Sequence, residues 1–149
     1  GTSFCIVLPT VAHSPTPATG TLAVVSPHGT ETVLVVEDDE NVRRIAVRTL
    51  RQHGYTILEA PDGATALRLV RECAGVVDLL ITDVVMPHMG GREVADAVRT
   101  LAPGAKVMFA SGYTDDAVVR HGVRHADVTF LQKPYTGRIL LARVREVLG

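Results

Sequence analysis

The amino-acid sequence predicts an α/β fold, a doubly wound five-stranded parallel sheet with helices on both faces. Apolar segments of strand length alternate with helical patterns five times between residues 31 and 149. The third of these segments, Leu79–Thr82, is continuously apolar, as expected for a strand that helices cover on both faces. Strands that are joined through helices run parallel with right-handed crossovers, which gives an open sheet of this class.

The first strand and helix are predicted within residues 33–54. Val33–Val36 is a run of four apolar residues, and apolar residues then recur at the i, i+3, i+4 and i+8 positions from Val42. Gly54 is expected to end this helix. Asp39 and Glu40 stand where a helix N-terminus favours acidic side chains, so we expect them to cap the first turn and complement the helix dipole.

The second and third units follow the same order. Tyr55–Glu59 is predicted to be a strand, residues 61–63 a turn, and the segment around Ala66 a short helix. After the strand Leu79–Thr82, a loop containing proline and glycine leads to a helix predicted over Glu93–Thr100.

The last two units complete the predicted sheet. Val107–Ala110 and Val128–Leu131 are the fourth and fifth strands, with a short helix expected over Asp115–Arg120 between them. An amphipathic pattern from Ile139 to the end of the chain predicts a final helix.

Composition narrows the class of function. The 149 residues carry a net charge of −1 without a basic run, which argues against nucleic-acid binding. No apolar run approaches the roughly 20 residues of a spanning helix, so we expect no direct membrane contact. The two cysteines, Cys5 and Cys73, match no metal-ligand spacing, and a reduced, cytoplasmic setting fits them best.

Polar residues stand at the predicted carboxyl ends of four strands. Glu37 and Asp38 follow the first strand, Asp83 the third, and Ser111 the fourth, while Lys133 follows the fifth after one glutamine. Open α/β sheets bind ligands beyond the carboxyl ends of their strands. The sequence therefore predicts a site that contains three acids, a hydroxyl and an ammonium.

The chemistry of that set points to phosphoryl transfer. Carboxylates held close together favour protonation unless a cation offsets their charge. An all-oxygen set without histidine or cysteine favours a hard ion, Mg²⁺ or alternatively Mn²⁺, rather than Zn²⁺. Lys133 and Ser111 would add a positive charge and a hydrogen-bond donor for phosphoryl oxygens. Asp83 is the natural nucleophile, because an aspartate can form an acyl phosphate.

Four blocks in order carry a resemblance to a known family. The segments VLVVEDDENVRR, DLLITDVVMPHMGG, VMFASGYT and FLQKPY resemble the receiver domain of bacterial two-component signalling, over residues 31–149. The resemblance implies a flavodoxin-like sheet of order 2-1-3-4-5. It also implies a partner that donates a phosphoryl group from histidine, either a histidine kinase or a histidine phosphotransfer domain, and a receiver homodimer as a further partner.

The resemblance further implies a role for each of seven residues. By this resemblance, Asp83 is the phosphoacceptor, and it holds Mg²⁺ together with Glu37, Asp38 and the backbone carbonyl of Val85. Ser111 supplies the hydroxyl that contacts the phosphoryl group, and Lys133 is the ion-pair partner of that group. Phe130 is the aromatic residue that changes rotamer on activation.

The sequence departs from the family pattern in three respects and shares one further feature with it. Glu37 stands where aspartate is commoner in the family, so its contact with the metal is expected to run through water. Ser111 replaces a frequent threonine and keeps the hydroxyl. Val85 and Tyr113 offer no carboxylate or amide to orient water, which predicts slow self-dephosphorylation. Family members have a cis bond at the position of Lys133–Pro134, which is expected to aim the lysine into the site.

The front of the chain carries a second resemblance. Residues 1–9, GTSFCIVLP, resemble the last strand of a histidine kinase ATP-binding domain, and residues 10–30 have the Pro, Ser, Thr and Gly content of a linker. This predicts the carboxyl-terminal receiver of a hybrid sensor histidine kinase. On this interpretation the chain is a phosphoacceptor signalling domain and not an independent enzyme.

Two alternatives remain open at the level of sequence. A Mg²⁺-dependent aspartyl-phosphate hydrolase has a similar sheet, but its nucleophile ends the first strand, where this chain has Glu37. A degenerate interaction domain that is never phosphorylated is the other, and the complete set of acids, hydroxyl and lysine argues against it.

Overall fold

The computed structural model of the chain describes residues 29–112 and 129–149. Five strands lie in these residues: β1 Thr32–Val36, β2 Thr56–Ala60, β3 Leu79–Asp83, β4 Lys106–Ser111 and β5 Thr129–Gln132. Four helices lie there as well: α1 Glu40–Gln52, α2 Gly63–Glu72, α3 Gly91–Leu101 and α4 Gly137–Leu148. The helix predicted over 115–120, the segment 1–9 and nearly all of the linker predicted over 10–30 fall outside the described residues.

The strands form one parallel sheet in the order β2-β1-β3-β4-β5, which confirms the predicted fold class. β1 and β3 lie at its centre, and their apolar runs are buried on both faces. Alternate side chains of β1 enter different cores, since Leu34 packs with α2 and α3 while Val33 packs with α1 and α4. A continuous apolar run is therefore what a central strand of this sheet requires.

The ends of α1 are capped by the residues that the sequence predicts. The Asp39 carboxylate accepts hydrogen bonds from the backbone N–H groups of Asn41 and Val42, at 2.8 and 3.1 Å, and Glu40 adds negative charge in the first turn. Beyond the helix, Gly54 has φ +90°, a conformation that glycine adopts without steric penalty. These residues cap α1 at both ends.

Element boundaries shift by one or two residues from the predicted ones. Tyr55 lies outside β2, because its N–H bonds back to the Leu50 carbonyl at the end of α1. α3 begins at Gly91 and not at Glu93, whose carboxylate instead accepts the N–H of Gly90 at 3.0 Å. The contacts that set these boundaries are hydrogen bonds to backbone N–H groups, and they leave no trace in the hydrophobic pattern.

The start of the described chain is tied to α4. Glu31 forms an ion pair with Arg145 of α4 at 2.6 Å, and the Arg145 guanidinium lies over the ring of buried Tyr55, 5.0 Å from its centroid. This contact with Arg145 lowers the pKa of the Glu31 carboxyl. Within the described ranges, no helix combines the length and the apolar character that crossing a bilayer requires.

Candidate functional site

The parallel sheet brings the predicted polar residues to one edge. Glu37 and Asp38 directly follow β1, and Asp83 is the last residue of the neighbouring strand β3. Ser111 ends β4, and Lys133 is the first residue after β5. Because the strands run parallel, all five residues lie at the carboxyl edge of the sheet.

Lys133 contacts two of the acids, Glu37 and Asp83, which lie far from it in the sequence. Its Nζ lies 2.5 Å from Glu37 Oε2 and 2.7 Å from Asp83 Oδ2, although these residues are 96 and 50 positions away in sequence. The Lys133–Pro134 peptide bond is cis, as expected. The Lys133 N–H also donates to the Ser111 carbonyl at 2.8 Å, so the ends of β4 and β5 are held together where the lysine leaves the sheet.

The three acids form a set that fits a divalent cation. Glu37, Asp38 and Asp83 can each offer one carboxylate oxygen, and these oxygens lie within 4.8 Å of one another. Lys133 is the only cation seen to pair with them in the described part of the chain, so negative charge remains in excess. Oxygen ligands and excess negative charge suit Mg²⁺ or Mn²⁺.

Burial and charge set the protonation behaviour of the pair at the centre. Glu37 is only 4% exposed, and this burial raises the pKa of its carboxyl, although the contact with Lys133 opposes the shift. Burial by itself lowers the pKa of the Lys133 ammonium. Its hydrogen bonds to Asp83 and Glu37 outweigh that effect and raise the pKa above its ordinary value. The lysine therefore stays charged between the two carboxylates.

The loop after β3 folds back over Asp83. The N–H of Val85 donates to Asp83 Oδ1 at 3.1 Å, and the Val85 side chain is 38% exposed. Asp83 thus has one carboxylate oxygen bound to the backbone and the other to Lys133. Both contacts orient the carboxylate before any ligand arrives.

Two further predicted residues, Ser111 and Phe130, lie on the neighbouring strands β4 and β5. Ser111 is buried, 4% exposed, at the end of β4. Phe130 of β5 is half-buried and stacks on Phe109 of β4, with ring centroids 5.9 Å apart and an interplanar angle of 29°. A rotamer change of Phe130 on activation stays a prediction. Tyr113 lies outside the described residues.

Sequence reasoning missed three residues that shape the site. Arg43 donates from Nη1 to the Glu37 carbonyl at 2.7 Å. Thr82 is fully buried and its hydroxyl donates to the Asp83 carbonyl at 3.1 Å. Gly91 comes so close to that carbonyl that an added Cβ would lie 1.9 Å from its oxygen. Of the three, only Gly91 could have been anticipated from the sequence, because the glycine doublet at 90–91 indicates that two backbone segments come close together.

Comparison with known sequences finds a matching family and several relatives. The sequence profile of the family described as response regulator receiver domain matches residues 33–145. The chain is 42% identical over 120 residues to the sensor kinase CckA of Brucella abortus, covering 80% of this chain and 13% of that protein. It is 33% identical over 116 residues to the response regulator receiver protein CpdR of Brucella abortus, covering 78% of this chain and 95% of that protein.

Solved structures show the same relationship. The crystal structure of the receiver domain from the hybrid histidine kinase CckA is 42% identical, with a TM-score of 0.68, and the match covers 79% of this chain and 99% of that one. The chemotaxis protein CheY4 of Vibrio cholerae is 29% identical, with a TM-score of 0.71, covering 80% of this chain and 100% of that one.

Proposed function

The chain belongs to the response regulator receiver domain family, and from this premise we propose that it accepts a phosphoryl group from a phosphohistidine onto Asp83 in the presence of Mg²⁺. The observation that carries the proposal is the position of Lys133, whose ammonium contacts both Glu37 and Asp83 at the carboxyl edge of the sheet. A cation placed there offsets charge on a phosphoryl group as it reaches Asp83.

The transfer step uses the Asp83 carboxylate as nucleophile. A carboxylate oxygen forms a bond to phosphorus while the bond from phosphorus to the donor imidazole nitrogen breaks, and the product is an acyl phosphate. The carboxylates of Glu37, Asp38 and Asp83 and the carbonyl of Val85 would hold Mg²⁺, which would neutralise charge on the transferring oxygens.

The remaining residues connect occupancy of the site to a surface. Ser111, buried beside the lysine, offers a hydroxyl to the bound phosphoryl group. Phe130 follows with a rotamer change, since its half-buried ring stacks on Phe109, which lies two residues before Ser111 in β4. The affected surface includes β5 and α4, where a change of state alters partner binding.

The parent protein is proposed to be a hybrid sensor histidine kinase. The chain spans 13% of the length of the sensor kinase CckA and 95% of the length of CpdR, so both kinds of parent are represented among its relatives. The resemblance of residues 1–9 to the end of a kinase ATP-binding domain, followed by a linker over 10–30 and a receiver over 31–149, favours the kinase.

The partners and the location follow from that architecture. The partner is the phosphohistidine of a kinase or of a phosphotransfer domain, with a receiver homodimer as a second assembly. A cytoplasmic location is consistent with the free thiol of half-buried Cys73.

Labelling with acetyl phosphate tests the proposed chemistry. The wild-type chain should form a stoichiometric, alkali-labile adduct that requires Mg²⁺, Asp83→Asn should form none, and Asp96→Asn, an exposed acid on α3, should label normally. Continuous turnover of a generic phosphate ester would support the hydrolase instead. A wild-type chain that forms no adduct would support the degenerate interaction domain.

A further inference from the structure

The three acids of the site are not held in the same way. Lys133 forms ion pairs with both Glu37 and Asp83, and Asp83 also accepts a hydrogen bond from the Val85 N–H. Asp38 is exposed, and its carboxylate has no hydrogen-bond partner among residues 29–112 and 129–149. The direction of the Asp38 side chain therefore depends on the backbone that carries it.

That backbone is held at Glu37 from two sides. The Glu37 N–H donates to the Ala60 carbonyl at the end of β2, at 3.2 Å. The Glu37 carbonyl, which belongs to the peptide linking it to Asp38, accepts from Arg43 Nη1 at 2.7 Å. A buried carbonyl without a hydrogen-bond partner destabilises the fold, so this hydrogen bond strongly favours one orientation of the peptide.

The helix places Arg43 where it can make this bond. Arg43 lies one turn after the cap, with its N–H bonded to the Asp39 carbonyl at 2.9 Å. Side chains on a helix lean toward its N-terminus, and here that direction leads back to the end of β1. The other arginines of α1 act elsewhere: Arg44 pairs with Glu40, Arg51 lies 3.4 Å from Glu59, and Arg48 has no partner among the described residues.

We propose that Arg43 is a positioning residue for the acidic pair: by donating to the Glu37 carbonyl it orients the peptide that carries Asp38, and so strengthens divalent cation binding. This inference rests on the proposed function. Two effects of the guanidinium oppose each other, because its positive charge repels a cation while its hydrogen bond arranges a ligand. Arg43 is partly exposed and its charge is screened by water and salt, so the hydrogen bond dominates.

Variants at this position show which of the two effects dominates. Arg43→Met removes both the donor and the charge, whereas Arg43→Lys keeps a charged N–H donor of nearly the same reach. Arg48→Met is the matched control, since it removes an arginine of the same helix that does not contact the site. The dissociation constants of Mg²⁺ and Mn²⁺ are measured by calorimetry on the full chain, without a phosphodonor.

Arg43→Met should weaken cation binding about tenfold, equal to about 1.4 kcal/mol, while Arg43→Lys stays within about twofold of wild type. Arg48→Met should match the wild type. Unchanged or tighter binding by Arg43→Met would overturn the proposal, and so would equal weakening by Met and Lys. If the Met variant does not fold, Arg43→Ser replaces it with the same expectations.

Measurements on the wild-type chain distinguish a failure of this inference from a failure of the proposed function. If acetyl phosphate labels Asp83 but the Arg43 variants bind cations as the wild type does, only the positioning role is wrong. If the wild type neither binds Mg²⁺ nor becomes labelled, the proposed function itself fails.

Discussion

Replacing Lys133 by methionine is the most direct test of how the site is held together without a metal. The change keeps a long apolar stem but removes the ammonium that lies 2.5 Å from Glu37 and 2.7 Å from Asp83. The three side chains are only 17%, 6% and 16% exposed, so solvent compensates poorly for the lost charge. Two carboxylates would then face each other without a counter-ion.

The cost can be estimated from this burial. Removing one partner of a buried ion pair costs about 3–5 kcal/mol, and the remaining exposure of Lys133 places this case near 3 kcal/mol. In a Glu37→Gln background only the contact with Asp83 is left to lose. That carboxylate keeps its bond from the Val85 N–H, so the same substitution should cost about 1 kcal/mol. The expected coupling between positions 37 and 133 is about 2 kcal/mol.

Urea unfolding of four chains measures this coupling: the wild type, each single variant and the double variant, all with a chelator present. Arg71→Met removes a positive charge from an exposed position of α2 and should change the free energy of unfolding by less than about 0.5 kcal/mol. Added Mg²⁺ should stabilise Lys133→Met more than the wild type, because the metal replaces the missing charge.

Equal costs of Lys133→Met in the two backgrounds would refute the reasoning. They would mean that the ammonium does not interact energetically with Glu37, despite the short distance between them. A cost below about 0.5 kcal/mol in the wild-type background would refute it as well, since a surface ion pair would suffice to explain that value.

Three further predictions concern Gly91, Glu31 and Val85. Gly91→Ala should destabilise by about 3 kcal/mol or more, because its Cβ would lie 1.9 Å from the Asp83 carbonyl oxygen, whereas Gly104→Ala, with nothing within 4 Å, should stay close to wild type in urea unfolding. Glu31→Gln should cost up to about 1 kcal/mol at neutral pH. Because the ion pair with α4 lowers the pKa of Glu31, this difference should shrink as pH falls below 4.5, and a constant difference would contradict the assignment. Val85→Asn should shorten the lifetime of the acyl phosphate by supplying an amide that orients water, and equal decay rates would remove the predicted slow self-dephosphorylation.

Much of the fold and the membership of the site could be predicted from the sequence, because hydrophobic periodicity and strand ends are local properties. The alternation of strand and helix patterns located all five strands, and the polar residues at or just beyond their ends, Glu37, Asp83 and Lys133, were expected to be neighbours. Helix caps such as Asp39 were also predictable, since a cap bonds to residues two and three positions along the chain.

What could not be predicted depends on contacts without a periodic signal. Arg43 resembles any charged residue on an exposed helix, and its bond to the Glu37 carbonyl exists only because α1 begins close to the end of β1. The start of α3 at Gly91 likewise depends on its approach to the end of β3, which no pattern of side chains records.

By itself the sequence determined where the strands lie along the chain and which polar residues stand near their carboxyl ends, because burial of apolar side chains sets strand positions. Only the tertiary structure decided how those residues meet: which carboxylate oxygens Lys133 contacts, which acid is buried, and which arginine holds the backbone between Glu37 and Asp38. The physical reason is that hydrogen bonds and ion pairs act over a few ångströms, and parallel strand pairing brings residues 50 and 96 positions apart within that range.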